Sequence, residues 1–326
     1  MATFSPTIRV AINRLKFRYP FRIAHGVRDG TDVVLIKIAV DEHFGLGEAT
    51  LPPYLPWKAQ DVLKLLEKTK ITFELKNNQP IWNVSNDLVL ECPPAAAAID
   101  MAVWQCAASL TKQTLHDWLG LGKHQVPHTF TIGISDAAEM NDKIHFGIAH
   151  GFTHFKLKMD GQNDRQVVEN YKHITHHPFA VDANQAWIEG KESNAFAKDL
   201  EQKGCLLIEQ PFHRSNHPGH HALCKHLTIP VIGDESIQGW EDLQCFGSHY
   251  TGVNIKLQKC GGITPALAML TLAKSLNHYV LIGCMSESSI GCGAGEAVAL
   301  GAQMADLDGP WLISNDQEIK EHALAL

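Results

Sequence analysis

Apolar and polar residues alternate from Thr7 to Phe17 and again from Asp32 to Val40, and a period of two marks a half-buried strand. The second run is expected to turn through Gly45-Leu46-Gly47-Glu48. Between the two strands, Pro20, Gly26 and Gly30 predict a loop over residues 18–30. Helical periodicity follows from about Lys58 to Thr69 and from Ala95 to Leu110. Past residue 127 the rhythm changes. Short apolar runs recur near 128–134, 153–158, 179–182, 206–209, 230–233, 251–256, 279–282 and 303–306, and helix-length stretches such as Gln166–His176 and Pro265–Leu276 fill the intervals. Strands alternating with helices predict a parallel sheet, and antiparallel strands followed by helices predict a separate α+β unit ahead of it. The expected division is an α+β domain over 1–115 and an α/β domain over 116–326.

The charges fall on this pattern with regularity. Successive apolar runs end on Lys158, Asp182, Glu209, Asp234 and Lys256, at spacings of 24, 27, 25 and 22 residues. A strand, a helix and two loops take about that length, since a whole βαβ unit needs roughly 30 residues. Each repeat therefore delivers one charged group to the carboxyl end of its strand, and in a parallel barrel those ends converge on one face, where active sites are built. Lys156 and Lys158 are two apart on a strand and project to the same side. A neighbouring ammonium and burial both disfavour the charged form, so a lysine here is expected to fall below its ordinary pKa of about 10.4. The plainer alternatives are an exposed edge strand with solvated lysines, and acids that merely start loops or cap helices. Three carboxylates with no thiolate or imidazole favour a hard cation such as Mg²⁺. Removal of a proton by one lysine and its return by the other would invert a carbon centre.

Taken in order, Lys156-Leu157-Lys158, Asp182-Ala183-Asn184, Glu209-Gln210-Pro211, Asp234-Glu235-Ser236 and the run Asn254-Ile255-Lys256 through Gly261-Gly262 resemble the enolase superfamily and its muconate-lactonizing-like subgroup. Asp306-Leu307-Asp308-Gly309 resembles the Asp-x-Asp element of dipeptide epimerases. The matches run from about Pro20 to Asp308. The resemblance implies a modified TIM barrel, (β/α)₇β, with an α+β capping domain whose loops 18–30 and 48–57 close over the mouth. It implies Mg²⁺ held by Asp182, Glu209 and Asp234, with Lys158 and Lys256 as opposed bases that epimerise through an enediolate. Lys156 would tune Lys158 and contact the substrate carboxylate, and Asp306 and Asp308 would hold the α-ammonium of a dipeptide whose second residue is inverted. L-Ala-D/L-Glu dipeptides are the expected substrate and a homo-oligomer the expected state. Gly26 stands where some members carry arginine, so acidic specificity would rest on Arg22 or Arg28. Lys259 is expected to be structural, off the inward face, and the carboxyl-terminal tail to pack only slightly on the cap.

Composition narrows the partners. Of 326 residues 45% are hydrophobic, enough for a large core, and the net charge is −7 with no basic run of five, which argues against nucleic acid. The amino terminus lacks a signal-peptide pattern, no apolar run reaches the length of a membrane span, and eight scattered cysteines read as reduced thiols, so a cytoplasmic enzyme is expected. Three rivals stay open. An o-succinylbenzoate synthase or N-acylamino acid racemase would use the same lysines without the Asp pair. A retired barrel could serve only for binding. The tracts His173, His176, His177 and His213, His217, His220, His221 could bind a metal, although solvated histidines are the plainer reading.

Overall fold

The computed structural model describes every residue except 1–2, 24–25, 78 and 123–124, and the side chains of 21–26 also lie outside the description. The amino-terminal unit opens with β1 (Thr3–Phe4), β2 (Thr7–Ile23), β3 (Gly26–Val40) and β4 (His43–Leu51), followed by α1 (Ala59–Glu67), β5 (Ile71–Lys76), β6 (Gln79–Val84), α2 (Pro93–Leu110) and α3 (Leu115–Leu119). Two antiparallel sheets result, in the orders β2-β3-β4 and β1-β5-β6.

Of the expected loop over 18–30, residues 18–23 and 26–30 instead belong to β2 and β3, the arms of a long hairpin, while residues 24–25 lie outside the description. β2 and β3 pair from Thr7 with Ala39 to Ile23 with Gly26, and the register shifts between Lys16 and Phe21. That irregularity accommodates Pro20, which cannot donate to a regular ladder. The expected turn at Gly45 and Gly47 is also corrected: the chain turns at Asp41, at φ +53°, and both glycines lie inside β4. Their role is close approach. A Cβ on Gly45 would sit 2.0 Å from the Ala102 carbonyl oxygen, and one on Gly47 would sit 1.9 Å from that of Ala98. Helix α2 thus rests with its backbone against the sheet. It is apolar on all sides because it is covered on all sides, by β4 on one and the barrel on the other. Its buried Asp100 accepts from Trp82 Nε1 at 2.7 Å and from Thr264 Oγ1 at 2.6 Å, tying the cap to the barrel.

The barrel runs β7 (Thr129–Ile132), α4 (Ala137–Ala149), β8 (His154–Lys158), α5 (Asp164–Ile174), β9 (Phe179–Asp182), α6 (Lys191–Gln202), β10 (Cys205–Glu209), α7 (His217–His226), β11 (Val231–Gly233), α8 (Trp240–Phe246) and β12 (Gly252–Lys256). It continues through α9 (Leu257–Cys260), α10 (Ile263–Ser275), β13 (Tyr279–Gly283), α11 (Ser289–Ala299), β14 (Met304–Asp306), α12 (Gly309–Leu312) and α13 (Asp316–Ala325). Strands β7 to β14 form one parallel sheet in sequence order. Its ends meet through a His128–Ala305 bridge and a hydrogen bond from the Ala305 amide to the Pro127 carbonyl at 2.9 Å. This is a nearly closed (β/α)₇β barrel carrying a capping domain.

Inside the barrel, Ala180, Leu207, Ile232, Leu281 and Met304 form one buried apolar cluster. Two residues further along the same strands, on the same face, stand Asp182, Glu209, Asp234, Gly283 and Asp306. The tail does not pack slightly, as expected from its length, but firmly. Ile313, Ile319 and Ala323 join Leu15, Val33 and Leu35 in a buried cluster, while Asn315 Oδ1 accepts from the Lys16 amide at 2.9 Å. The alternate apolar positions of β2 and β3 need a cover, and α13 supplies it.

Candidate active site

Eight parallel strands in sequence order place β8 and β12 four positions apart, on opposite sides of the ring. Lys158 closes β8 and Lys256 closes β12, and both line the same cavity of about 650 Å³. Between them, Asp182 and Glu209 end β9 and β10, and Asp234 directly follows β11. Register makes neighbours of these groups: Lys158 pairs with Asp182 across the β8–β9 ladder, and Asp182 with Glu209 across the next.

The side chains follow the register. Lys158 Nζ donates to Asp182 Oδ2 at 2.6 Å, and Lys256 Nζ to Asp234 Oδ2 at 2.8 Å. Lys156 is 2% exposed; it donates to Glu209 Oε2 at 3.2 Å, lies 3.7 Å from Asp182 Oδ2 and is bonded to Asp306 Oδ2. The expectation that paired lysines lose their protons more readily is overturned for Lys156. Burial alone would lower it, but the carboxylates of Asp306, Glu209 and Asp182 outweigh burial and the amine is held well above its ordinary value. Lys256 is likewise held high, burial being outweighed by Asp234 and Glu209. Lys156 lines the cavity while engaged with these acids.

Asp234 shows the reverse balance. Burial would raise its carboxyl, yet the ammoniums of Lys256 and Lys259 hold it below the ordinary range. Lys259, expected off the inward face, in fact reaches Asp234 Oδ1 at 2.7 Å. Glu209 is pushed up to about 7, first by burial and then by the charge of Asp182. Its Oε1 accepts from Asn254 Nδ2 at 2.7 Å, and that asparagine can cross the barrel because its neighbour is Gly283, where a Cβ would lie 2.5 Å from Asn254 Oδ1.

These donors fit a hard cation. All three are carboxylates on adjacent strands, and Glu209 carries a charge that its surroundings leave under-compensated. As the side chains stand, no three acid, thiol or imidazole groups among the described residues converge as ion ligands, because each carboxylate is turned to a lysine.

Across the ring, Asp306 ends β14 and Asp308 follows it, and both line the cavity. Asp306 accepts from Thr129 Oγ1 at 2.8 Å; burial would raise its carboxyl, but Lys156 outweighs burial and holds it low. Asp308 accepts from the Thr131 amide and is pushed up to about 7 by burial and by Asp306. The cap closes the cavity with Tyr54, Pro56 and Trp57 from the segment after β4. Arg28 lines it too, its guanidinium 5.7 Å from the Phe17 ring centre and 5.6 Å from that of Tyr54, and it donates to Thr31 Oγ1 at 3.3 Å. The side chain of Arg22 lies outside the described residues.

Sequence reasoning missed Lys143 and Arg214, which also line the cavity. Lys143 lies on α4, paired with Glu139 at 2.7 Å and standing 5.6 Å from the Tyr19 ring centre. Nothing in its helix marks it, because the aromatic ring it stands beside belongs to β2. The histidine tracts do not form a metal site among the described residues. His220 is not solvated, as expected, but fully buried, with Nδ1 2.7 Å from the Asn216 carbonyl and Nε2 3.2 Å from Gln210 Nε2. None of the eight cysteines is in a disulfide, and among the described residues no helix is long and apolar enough to cross a membrane.

A capped barrel with two opposed lysines flanking three acids defines a class of enzyme, and comparison with known proteins agrees. Residues 6–120 match the mandelate racemase/muconate lactonizing enzyme amino-terminal domain, and residues 139–319 match the enolase carboxyl-terminal domain-like family. The chain belongs to the enolase superfamily. The L-Ala-D/L-Glu epimerase of Bacteroides thetaiotaomicron is 33% identical over 311 residues, covering 93% of this chain and 80% of its own. An L-Ala-D/L-amino acid epimerase of Maribacter sp. is 31% identical over 306 residues, covering 93% and 89%. Among solved structures, the dipeptide epimerase from Methylococcus capsulatus, complexed with Mg and the dipeptide L-Arg-D-Lys, superposes with a TM-score of 0.82 at 25% identity, covering 96% of this chain and 93% of that one. The protein is an enzyme of the superfamily's racemase and epimerase group.

Proposed function

We propose that the enzyme is a dipeptide epimerase that inverts the α-carbon of the second residue, with L-Ala-D/L-Glu or related dipeptides as substrates and Mg²⁺ as cofactor. The observation that supports this most is the placement of Lys158 and Lys256 on opposite sides of the ring, with three acids on the arc between them. Asp182, Glu209 and Asp234 would hold the cation, which supplies an electrostatic sink for charge developing on the substrate carboxylate. Asp182 and Asp234 now hold Lys158 and Lys256, and directing those carboxylates to a cation would release both amines toward the substrate carbon. One lysine takes the α-proton from one face and the other returns a proton to the opposite face, leaving the epimer. Asp306 and Asp308 would receive the α-ammonium, and Thr129 and Thr131 hold that pair in place. Arg28 is the described cap residue suited to an acidic second side chain.

Racemisation of N-acylamino acids is the rival reading. It has one observation in its favour, since Asp306 is already compensated by Lys156. A panel of dipeptides and N-acylamino acids incubated in D₂O and read by mass separates the two. A one-unit gain confined to dipeptides, abolished by EDTA and restored by Mg²⁺, is expected. Gain confined to N-acylamino acids would replace this reading, and no gain with either would remove both.

A further inference from the structure

Both oxygens of Asp234 are gripped by lysines three residues apart: Lys256 Nζ lies 2.8 Å from Oδ2, and Lys259 Nζ lies 2.7 Å from Oδ1. The two amines are otherwise unlike. Lys256 ends β12 and, among the described residues, hydrogen-bonds Asp234 alone. Lys259 also donates to the carbonyls of Asp234 at 2.8 Å, Ile237 at 2.9 Å and Asn254 at 3.0 Å. An ammonium has three protons, and four acceptors, three from the loop after β11 and one from β12, share them. The side chain is 3% exposed, so this amine has no other partner to move to.

Local geometry brings Lys259 there. The single turn of α9 begins directly after β12, which carries a residue three further on back over the strand end. The turn is stopped by Gly261 at φ +96° and Gly262 at φ +121°, and a Cβ on Gly262 would come within 2.5 Å of Asp100 Cβ on α2. The cap helix therefore fixes where α9 ends.

We propose that Lys259 is a positioning residue for Asp234. It holds the rotamer through Oδ1, pins the turn from Asp234 to Ile237 onto β12, and leaves Oδ2 to face a cation once Lys256 moves away. Asp234 then keeps a counter-charge that takes no part in the chemistry. This rests on the reading of Asp234 as a metal ligand, and partners that orient a ligand contribute 10–100-fold to metal affinity.

The test is Mg²⁺ binding to the full chain by titration calorimetry, without substrate, for wild type, Lys259→Met and Lys259→Arg, with melting curves to verify folding. Lys259→Met is expected to bind Mg²⁺ about 10–100-fold more weakly. The half-saturating Mg²⁺ for turnover should rise in parallel, while turnover at saturating Mg²⁺ changes far less. Arginine keeps the charge, but its planar fork cannot meet four convergent acceptors, so a smaller weakening is expected. If the methionine variant does not fold, the arginine variant carries the test alone. Unchanged or tighter Mg²⁺ binding in a folded variant would overturn the proposal, tighter binding showing that Lys259 acts only as a competing charge. A wild type that binds no Mg²⁺ would overturn both this and the metal reading, whereas a wild type that binds with unaffected variants removes Lys259 alone.

Discussion

Two layers of one barrel differ in everything but their backbone. The lower holds Ala180, Leu207, Ile232, Leu281 and Met304 and is apolar throughout. The upper, two residues further along the same strands, holds Asp182, Glu209, Asp234 and Asp306 with Lys156, Lys158 and Lys256 beside them. Both layers are buried, yet only the lower stabilises the fold by leaving water. Charges removed from water are costly unless paired, and here almost every carboxylate has a lysine. The lesson is that the barrel supplies rigidity from one layer and chemistry from the next, so each should fail in its own way when cut.

Glu209→Gln should give the largest separation. Turnover is expected to fall by about a thousandfold or more, with Mg²⁺ affinity reduced alongside. Leu207→Ala, two residues lower, should cost about 2–5 kcal/mol of stability by leaving a cavity and retain Mg²⁺ binding in the folded fraction. Calorimetry and chemical denaturation on the pair check this, and equal losses of stability would erase the distinction between layers. A smaller effect is expected at the far side of the ring. Asp306→Asn should weaken dipeptides by about tenfold, the worth of a charged hydrogen bond, and N-acylated analogues less. Matching losses in kcat/KM for both would remove the ammonium assignment.

The smallest effect concerns the seam between cap and barrel. Glu48 on β4 is fully buried beside Glu287 and accepts from the Ser288 amide at 3.0 Å. Burial, then the charge of Glu287, pushes Glu48 from 4.5 up to about 8, and burial takes Glu287 up to about 7. Their folded values exceed the unfolded ones, so the stability linked to their protons is full below about pH 4.5 and is lost as pH rises toward 8. Asp234 and Asp306, held low, act oppositely and lose their contribution only in acid. The wild-type melting temperature should therefore decline between pH 5 and pH 8, and in Glu48→Gln this decline should shrink by a few degrees. An identical decline in both proteins would show that Glu48 is not the group responsible.

The sequence carried most of the barrel. The run Phe179–Asp182 and the ends at Lys158, Glu209 and Lys256 coincide with strand ends, because a buried parallel strand is a compact apolar block whose last residue meets solvent or a site. The hairpin was misread because Pro20 looks like a breaker until its bulge is known. Gly45 and Gly47 looked like a turn, since their true cause, the backbone of α2, lies about fifty residues away. The raised amine of Lys156 and the reach of Lys259 depend on carboxylates from other strands, and spacing does not report which oxygen an amine will find. Lys143 was invisible for the same reason, its Tyr19 neighbour coming from β2.

One measurement bears most directly on the two-lysine account. Each epimer of the dipeptide is incubated separately in D₂O with Lys158→Ala and Lys256→Ala, and α-deuteration of the second residue is followed by NMR. The expected result is that each variant loses exchange from one epimer, keeps it from the other, and interconverts neither. Exchange from both epimers surviving in either variant, or lost equally from both, would contradict bases standing on opposite faces of one carbon.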